Sequence, residues 1–264
     1  MKLSANLSLL YADETLDTAM DEAKHHGFKA VEMLFPYTDT PDALASQLAR
    51  HPLQLVLVNT PLGPNGEKGL AAIPGREDDF LRALERALDV CRATGCRLVH
   101  VMAGQPEADQ HEAALDTLLQ NLAHAVPLAR DAGVVLTLEA LNRDDMPGYF
   151  YWQPRQVLNI LQELGSPQLG LQFDFYHTQK EGLDVLAEIN ACADWIRHVQ
   201  FAHPVGRHEP DLTDPGVRAA LLRLRDIGFQ GHVGAEYRPA RTAAEGYGWM
   251  RQYHKLLDGP EASS

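Results

Sequence analysis

The 264-residue sequence lacks the features that mark several large protein classes. Its three cysteines, Cys91, Cys96 and Cys192, form no C-x-x-C pair and no zinc-like spacing, which predicts reduced cysteines on helix faces. No apolar run approaches the roughly 20 residues that a membrane-spanning helix needs. Residues 1–6 also lack the apolar region of a signal peptide. We therefore expect a cytoplasmic protein with no membrane partner.

Positive charge is scarce as well, since 23 Lys and Arg stand against 36 Asp and Glu and give a net charge of -13. This balance opposes general nucleic-acid binding, because such an interface usually needs a basic face. The sequence contains neither G-x-G-x-x-G nor G-x-x-x-x-G-K-[ST], so it supports neither a dinucleotide-binding fold nor a P-loop. An anionic substrate would need local positive charge from a metal, an arginine or a helix N-terminus.

Strand-like apolar runs alternate with helix-like segments along the chain. Eight strands are predicted at residues 3–7, 30–34, 53–58, 98–102, 134–139, 169–173, 196–201 and 232–236. Eight helices are predicted at about 14–26, 41–50, 77–94, 110–132, 154–164, 182–190, 214–227 and 242–257, with Asp13 and Thr40 as N-caps of the first two. Uninterrupted alternation implies parallel strands, and eight units favour a closed (β/α)8 TIM barrel over an open sheet. We expect one α/β barrel domain at 1–258 and a polar tail at 259–264.

A polar residue ends every predicted strand, where the active site of such a barrel lies. These residues are Asn6, Glu32, Asn59, His100, Glu139, Asp174, Gln200 and Glu236. A single polar residue at a strand end is common by chance. The evidence for a site therefore lies in the last four, which end four consecutive strands. Each of them carries at least one side-chain oxygen.

This group of four predicts a metal site. Three carboxylates brought close together repel one another unless a cation lies among them. An all-oxygen set is hard, and it matches Mg²⁺ or Mn²⁺ better than zinc, whose sites favour His and Cys. The predicted ligands of this divalent metal are Glu139, Asp174, Gln200 and Glu236.

The loops after the strands hold further candidates. His177 follows Asp174 by three residues and could reach a substrate hydroxyl, or else cap the next helix. Arg207 could bind a substrate carboxylate, or be a solvated surface arginine. The Gly- and Pro-rich segment 60–76 could be an active-site lid or a surface excursion. The aromatic run in segment 143–152 could cover a ligand or contact another subunit of a homo-oligomer.

The sequence resembles the hydroxypyruvate isomerase family of xylose isomerase-like barrels almost from end to end. The likeness lies in segments 4–8, 31–37, 73–77, 139–142, 174–177 and 234–239, which read SANLS, VEMLFPY, IPGRE, EALN, DFYH and GAEYRP. The resemblance implies that the four predicted ligands do bind a metal and that Glu139 and Glu236 are also the catalytic pair. It implies an aldose-ketose type isomerisation of hydroxypyruvate to tartronate semialdehyde through an enediolate. The residues that we assign to substrate binding are Asn59, His100, His177 and Arg207.

The sequence departs from better-known members of that family in two places. Val58 stands where the family can carry a histidine, and segment 207–211 looks more like the related 2-oxo-tetronate isomerases. Ketose 3-epimerases resemble the chain less, since they typically have a histidine where Gln200 stands. Endonuclease IV-like nucleases share the barrel but are rich in histidine and zinc. The predicted substrate is a small anionic hydroxy-keto acid or sugar acid, and a non-catalytic sugar-binding protein is a further alternative.

Overall fold

The structure is a computed structural model that describes residues 1–242 and 246–258. Eight parallel strands close into a barrel, each beside its neighbours in sequence and the last beside the first. They are β1 Lys2–Asn6, β2 Ala30–Met33, β3 Gln54–Asn59, β4 Leu98–His100, β5 Val135–Glu139, β6 Leu169–Asp174, β7 Ile196–Phe201 and β8 His232–Ala235. The predicted (β/α)8 barrel is confirmed. Because all strands are parallel, their C-terminal ends meet at one mouth.

Ten α-helices follow the strands in the described part of the chain. They are α1 Leu7–Leu10, α2 Leu16–His25, α3 Pro41–Ala49, α4 Glu77–Thr94, α5 His111–Asp131, α6 Pro154–Leu164, α7 Phe175–Lys180, α8 Val185–Cys192, α9 Pro215–Asp226 and α10 Gly248–Asp258. Both ends of α4 and α6 were predicted correctly. The last helix begins later than predicted, at Gly248. Residues 243–245 of that prediction, and the predicted tail at 259–264, lie outside the described residues.

Two short helices were missed, and one N-cap was wrong. Helices α1 and α7 each begin directly after a strand, where Asn6 and Asp174 accept a backbone N–H as N-caps. One or two turns are too short to show a periodic pattern. Thr15, and not Asp13, caps α2, because its hydroxyl accepts the backbone N–H of Thr18. Thr40 caps α3 as predicted, with Pro41 following it.

The helices pack on the barrel through apolar faces. In α4, for example, Phe80, Leu84, Ala87 and Leu88 are at most 1% exposed, which matches the helical spacing of these residues in the sequence. Burial of a large apolar side chain of this kind contributes about 1.5–3 kcal/mol. The three cysteines are buried and free. Among the helices of the described residues, none combines the length and the apolar content that crossing a bilayer would require.

Segment 60–76 is anchored to the barrel rather than extended into solvent. Gly69 forms a bridge to Ala103, at a φ of +119°, and it lies so close to the residues after β4 that an added Cβ would be 2.3 Å from the carbonyl oxygen of Met102. Arg76 binds both Glu67 and Asp79, with nitrogen–oxygen distances of 2.5 Å for each pair. The surface-excursion interpretation is therefore wrong for this part of the segment.

The aromatic run after β5 lies inside the protein. Tyr149, Phe150 and Tyr151 are 3%, 5% and 1% exposed, and the backbone N–H of Ala103 donates to the Tyr149 hydroxyl at 2.9 Å. The three aromatic side chains pack the loop against the barrel. Whether segment 143–152 covers a ligand or contacts another subunit stays a prediction. Trp152 is half-buried under the Arg143 guanidinium.

Candidate active site

A cavity of about 670 Å³ opens at the C-terminal mouth of the barrel. Six of the predicted site residues line it, namely Asn59, His100, Glu139, His177, Arg207 and Glu236. Three cations that the sequence reasoning did not single out, Lys68, Lys180 and Arg238, also line it. A larger groove of about 800 Å³ lies between α9 and α10, but no acidic residue lines it. The carboxylates therefore place the candidate site at the barrel mouth.

Two buried carboxylate oxygens in this site have no hydrogen-bond partner among the described residues. They are Oε1 of Glu139 and Oδ2 of Asp174. Glu139, Asp174 and His177 each present one donor atom within 4.8 Å of the others. Unpaired anionic oxygens are costly inside a protein unless a cation binds them. The arrangement therefore fits a hard divalent cation.

The pKa values of the three carboxyl groups reflect the same crowding. Burial raises the pKa of Glu236 to about 8 and that of Asp174 to about 6, although the Arg207 guanidinium opposes both shifts. Burial also raises the pKa of Glu139 well above its ordinary value, and repulsion by Glu236 and Asp174 adds to this effect. The carboxyl groups therefore hold protons at pH values where isolated carboxylic acids would be ionised.

Arg207 lies over the site and not on the solvated surface, so that alternative is wrong. Its Nη2 is 2.5 Å from Oε2 of Glu236 and 3.7 Å from Oδ2 of Asp174, and its side chain is 20% exposed. Its guanidinium carbon is 4.6 Å from the ring centroid of Tyr176. The backbone at Arg207 has a φ of +52°, an uncommon conformation for a residue with a side chain. Burial opposes the charge, but Glu236 and Asp174 outweigh it and raise the pKa of Arg207.

His177 is held in one orientation by Asn142. The backbone N–H of Asn142 donates to Nδ1 of His177 at 3.1 Å, and the Asn142 side-chain amide lies 2.7 Å from the same nitrogen. Burial lowers the pKa of His177 well below its ordinary value. A neutral ring that accepts at Nδ1 carries its proton on Nε2. Nε2, which lies 3.7 Å from Asp174, is therefore a hydrogen-bond donor. The helix-capping alternative is wrong, since Asp174 caps α7.

His100 also faces the cavity as a neutral ring. It is 1% exposed, and burial lowers its pKa to about 3. Neither ring nitrogen has a hydrogen-bond partner among the described residues, although Nδ1 lies 3.3 Å from Oε2 of Glu139. Asn59 has a similarly unpaired side-chain oxygen. These unpaired groups can hydrogen-bond a small polar ligand.

Gln200, like Asp174, is a predicted site residue that does not line the cavity. Gln200 is fully buried. Its Nε2 donates to Oε2 of Glu32 at 2.8 Å, and its Oε1 accepts from Nε2 of Gln172 at 2.7 Å. The strand register places Gln200 beside Asp174 of β6 and beside Gly234 of β8, two residues before Glu236. The ligand role of Gln200 stays a prediction.

The sequence and fold can now be compared with known proteins. Residues 20–253 match the xylose isomerase-like TIM barrel family. The chain is 37% identical to the 2-oxo-tetronate isomerase of Cupriavidus necator over 255 residues, which covers 96% of this chain and 98% of that protein. It is 31% identical to the hydroxypyruvate isomerase of Escherichia coli over 256 residues, which covers 96% and 99%.

A solved structure has a very similar fold. The crystal structure described as an AP endonuclease, family 2, from Brucella melitensis has a TM-score of 0.91 and 33% sequence identity, and the match covers 96% of this chain and 98% of that chain. Nearly complete coverage in both directions means that the likeness extends over the whole barrel. The chain belongs to the hydroxypyruvate isomerase family of xylose isomerase-like TIM barrels, and it is an isomerase.

Proposed function

We propose that the chain is a metal-dependent isomerase of the aldose-ketose type that converts hydroxypyruvate to tartronate semialdehyde through an enediolate. The observation that carries the proposal is a pair of buried oxygens, on Glu139 and Asp174, that accept no hydrogen bond from the described residues and lie near Glu236 and Arg207 at the barrel mouth. The substrate is anionic, and Arg207 supplies positive charge in an otherwise acidic protein.

The proposed cation is Mg²⁺ or Mn²⁺. Glu139 and Asp174 would hold it through their unpaired oxygens, with Glu236 and Gln200 completing the set of four. When bound, it would supply positive charge to the substrate's carbonyl and hydroxyl oxygens and so favour loss of a proton from carbon. The donor set consists of hard oxygen atoms, which supports these ions over zinc.

The two glutamates are proposed to move the proton between carbons. One removes a proton from C3 of hydroxypyruvate and a proton returns at C2, while the C2 ketone becomes a hydroxyl and the C3 hydroxyl becomes an aldehyde. A group with a pKa near the working pH is best suited to both steps. In the metal-free protein burial raises the pKa of Glu236 above its ordinary value, and a bound cation would lower it again. Arg207 orients Glu236 through a 2.5 Å contact. The Nε2–H of His177 is placed to donate to a substrate oxygen.

Hydrogen exchange tests the reaction directly. Metal-loaded protein should convert hydroxypyruvate in D₂O and place deuterium on carbon, which NMR detects. Absence of both exchange and interconversion with each of Mg²⁺, Mn²⁺ and Zn²⁺ would contradict this substrate. The variant Glu236→Gln cannot accept the proton, so its turnover should fall by at least about 10²-fold. Full activity of that variant would contradict the mechanism.

A 2-oxo-tetronate is the second candidate substrate. The chain is 37% identical to a 2-oxo-tetronate isomerase, and Lys68 and Arg238 on the cavity wall could bind the polar groups of a longer acid. A panel of hydroxypyruvate, 2-oxo-tetronates and ketoses should separate the candidates by kcat/KM. A cytoplasmic location is also proposed, and the buried, free cysteines support it.

A further inference from the structure

A fully buried carboxylate lies below the active site and is not used by the proposed chemistry. Glu32 is 0% exposed and accepts hydrogen bonds from Oγ of Ser4 at 2.6 Å and from Nε2 of Gln200 at 2.8 Å, while Nε2 of His198 lies 2.8 Å away. We call the connected group the Glu32 network. Its members are Ser4, Asn6, Glu32, Thr137, Gln172, His198 and Gln200.

The network fixes which way the Gln200 amide faces. An ionised carboxylate can only accept hydrogen bonds, so the Gln200 NH₂ group must point to Glu32 and its carbonyl oxygen away from it. That oxygen meets Nε2 of Gln172, which also donates to Oε2 of Glu139 at 2.9 Å. The Gln172 NH₂ group must point to the Glu139 carboxylate for the same reason, and the Thr137 hydroxyl lies 3.1 Å from Oε1 of Gln172. Glu32 is therefore linked to Glu139 through two oriented amides.

A second branch of the network reaches Glu236. The side-chain oxygen of Asn6 accepts the backbone N–H of Ser8 at 3.1 Å, so its NH₂ group points into the barrel. There it lies 3.1 Å from Oε1 of Glu236 and 3.5 Å from Oε2 of Glu32. Glu32 thus lies between the two proposed catalytic glutamates and contacts one proposed ligand directly.

The barrel is shaped to hold this carboxylate. Gly234 of β8 faces Glu32, and a Cβ there would lie 2.1 Å from Oε1 of Glu32. The strand register shifts at Glu32 and again at Gln172, and such irregularities re-aim side chains next to active sites. A buried charge costs several kcal/mol unless hydrogen bonds compensate for it, and an apolar side chain would fill the same space without that cost.

From this geometry we propose that Glu32 is a positioning residue for the metal site, which holds the Gln200 carbonyl oxygen and the Glu236 carboxylate toward the cation. The inference rests on the proposed metal-dependent function. It concerns how the ligands are oriented and not which substrate is converted. Residues that orient metal ligands typically change metal affinity by about 10–100-fold when replaced.

The test is Mn²⁺ binding to the full-length protein, measured by the electron paramagnetic resonance signal of free Mn²⁺. Glu32→Gln replaces a carboxylate that four donors contact with an amide, which has one acceptor oxygen and its own NH₂ group. Glu32→Asp keeps the negative charge, but its shorter side chain moves the carboxylate away from Gln200. Both variants should bind Mn²⁺ about 10–100-fold more weakly than wild type. Glu188→Gln is the matched control, since Glu188 is also a buried carboxylate, paired with Arg155 at 2.9 Å and outside the cavity wall. Its affinity should equal that of wild type.

The two substitutions separate positioning from charge. If Glu32 acted only through its negative charge, Glu32→Asp would bind Mn²⁺ as wild type does, and that result would overturn the inference. Wild-type affinity in Glu32→Gln would overturn it as well. Should Glu32→Gln fail to fold, as judged by circular dichroism, Glu32→Asp alone decides. Because Mn²⁺ binding needs no substrate, a failure to convert hydroxypyruvate leaves this result interpretable, whereas wild-type protein that binds no Mn²⁺ refutes both the metal site and the inference.

Discussion

At the scale of single residues, Arg207 links the proposed base to the substrate side of the cavity. Its planar guanidinium contacts Glu236 on one edge and lies over the ring of Tyr176 on one face. The Tyr176 hydroxyl is itself fixed by Asp145, to which it donates at 2.7 Å. A lysine would keep the charge but lose the flat surface and most of the donors.

We therefore expect Arg207→Lys to lower kcat/KM by about 10–100-fold, which corresponds to the roughly 1.5–3 kcal/mol of a hydrogen bond to a charged group. Steady-state kinetics on the best substrate of the panel measures the effect. Arg155→Lys, at the ion pair with Glu188 outside the cavity, is the control and should keep wild-type kinetics. Unchanged kinetics in Arg207→Lys would show that turnover does not need the planar guanidinium of Arg207.

Gly234 supports a second prediction at this scale. Gly234→Ala would place a methyl group against the fixed Glu32 carboxylate, so we expect a loss of about 1–3 kcal/mol in the free energy of unfolding. Gly248→Ala is the control, because a Cβ added there meets no atom of the described residues within 4 Å and the backbone is outside the left-handed region. Urea denaturation of both variants gives the comparison. Equal stability of the two would mean that Glu32 is not held rigidly.

The cavity-lining position of several candidate residues could be predicted from the sequence, but the full burial of others could not. Polar residues at strand ends pointed to Glu139 and Glu236, which do face the cavity. Glu32 and Gln200 show the same pattern, yet both are fully buried and do not line the cavity, because the strand register, with its shifts in β2 and β6, decides which side chains reach it. The cations Lys68 and Arg238 were missed because loops carry no periodic signal.

At the scale of secondary-structure elements, the long segment after β3, residues 60–76, is packed against the barrel and closed by ion pairs. Its residues 70–72 are buried, and the Arg76 ion pairs close it at the start of α4. Sequence composition indicated hinges and turns there, but it could not show that a bridge from Gly69 to Ala103 anchors the segment. The anchor holds Lys68 at the cavity wall.

Loss of this anchor should expose the segment to proteases. In Arg76→Gln the ion pairs with Glu67 and Asp79 are gone, so trypsin should cleave after Lys68 faster than in wild type. Arg92→Gln removes exposed ion pairs with Asp89 and Glu85 in the last turn of the same helix, and it should leave the cleavage rate unchanged. Mass spectrometry of timed digests identifies the site. Equal rates in all three proteins would show that the ion pairs do not anchor the segment.

At the scale of the whole molecule, stability should depend on pH through His232, the half-buried histidine at the start of β8. Burial lowers the pKa of His232 from its ordinary 6.5 to about 4. Between these pH values the unfolded chain binds a proton that the folded chain does not, so acid favours unfolding. The stabilising effect of the neutral ring is complete above pH 6.5 and is lost as pH falls toward 4.

We expect metal-free His232→Gln to lose less stability between pH 7 and pH 5 than metal-free wild type. Urea denaturation at the two pH values, with a chelator present, measures the difference. The other titrating groups are present in both proteins, so their contributions to the loss of stability cancel in this comparison. A drop as large as that of wild type would place the pH dependence elsewhere in the molecule.

Closure of the barrel between β1 and β8 has a consequence for synthesis of the protein. Asn6 and Glu236, which are in contact at 3.1 Å, are 230 residues apart in the chain. At about 5–20 residues per second, a ribosome needs on the order of 10–50 s to make that interval. During this time the nascent sheet has two unpaired edges, which are prone to aggregate. The catalytic centre is thus among the last parts of the molecule that translation completes, and the emerging chain has most need of a chaperone before β8 appears.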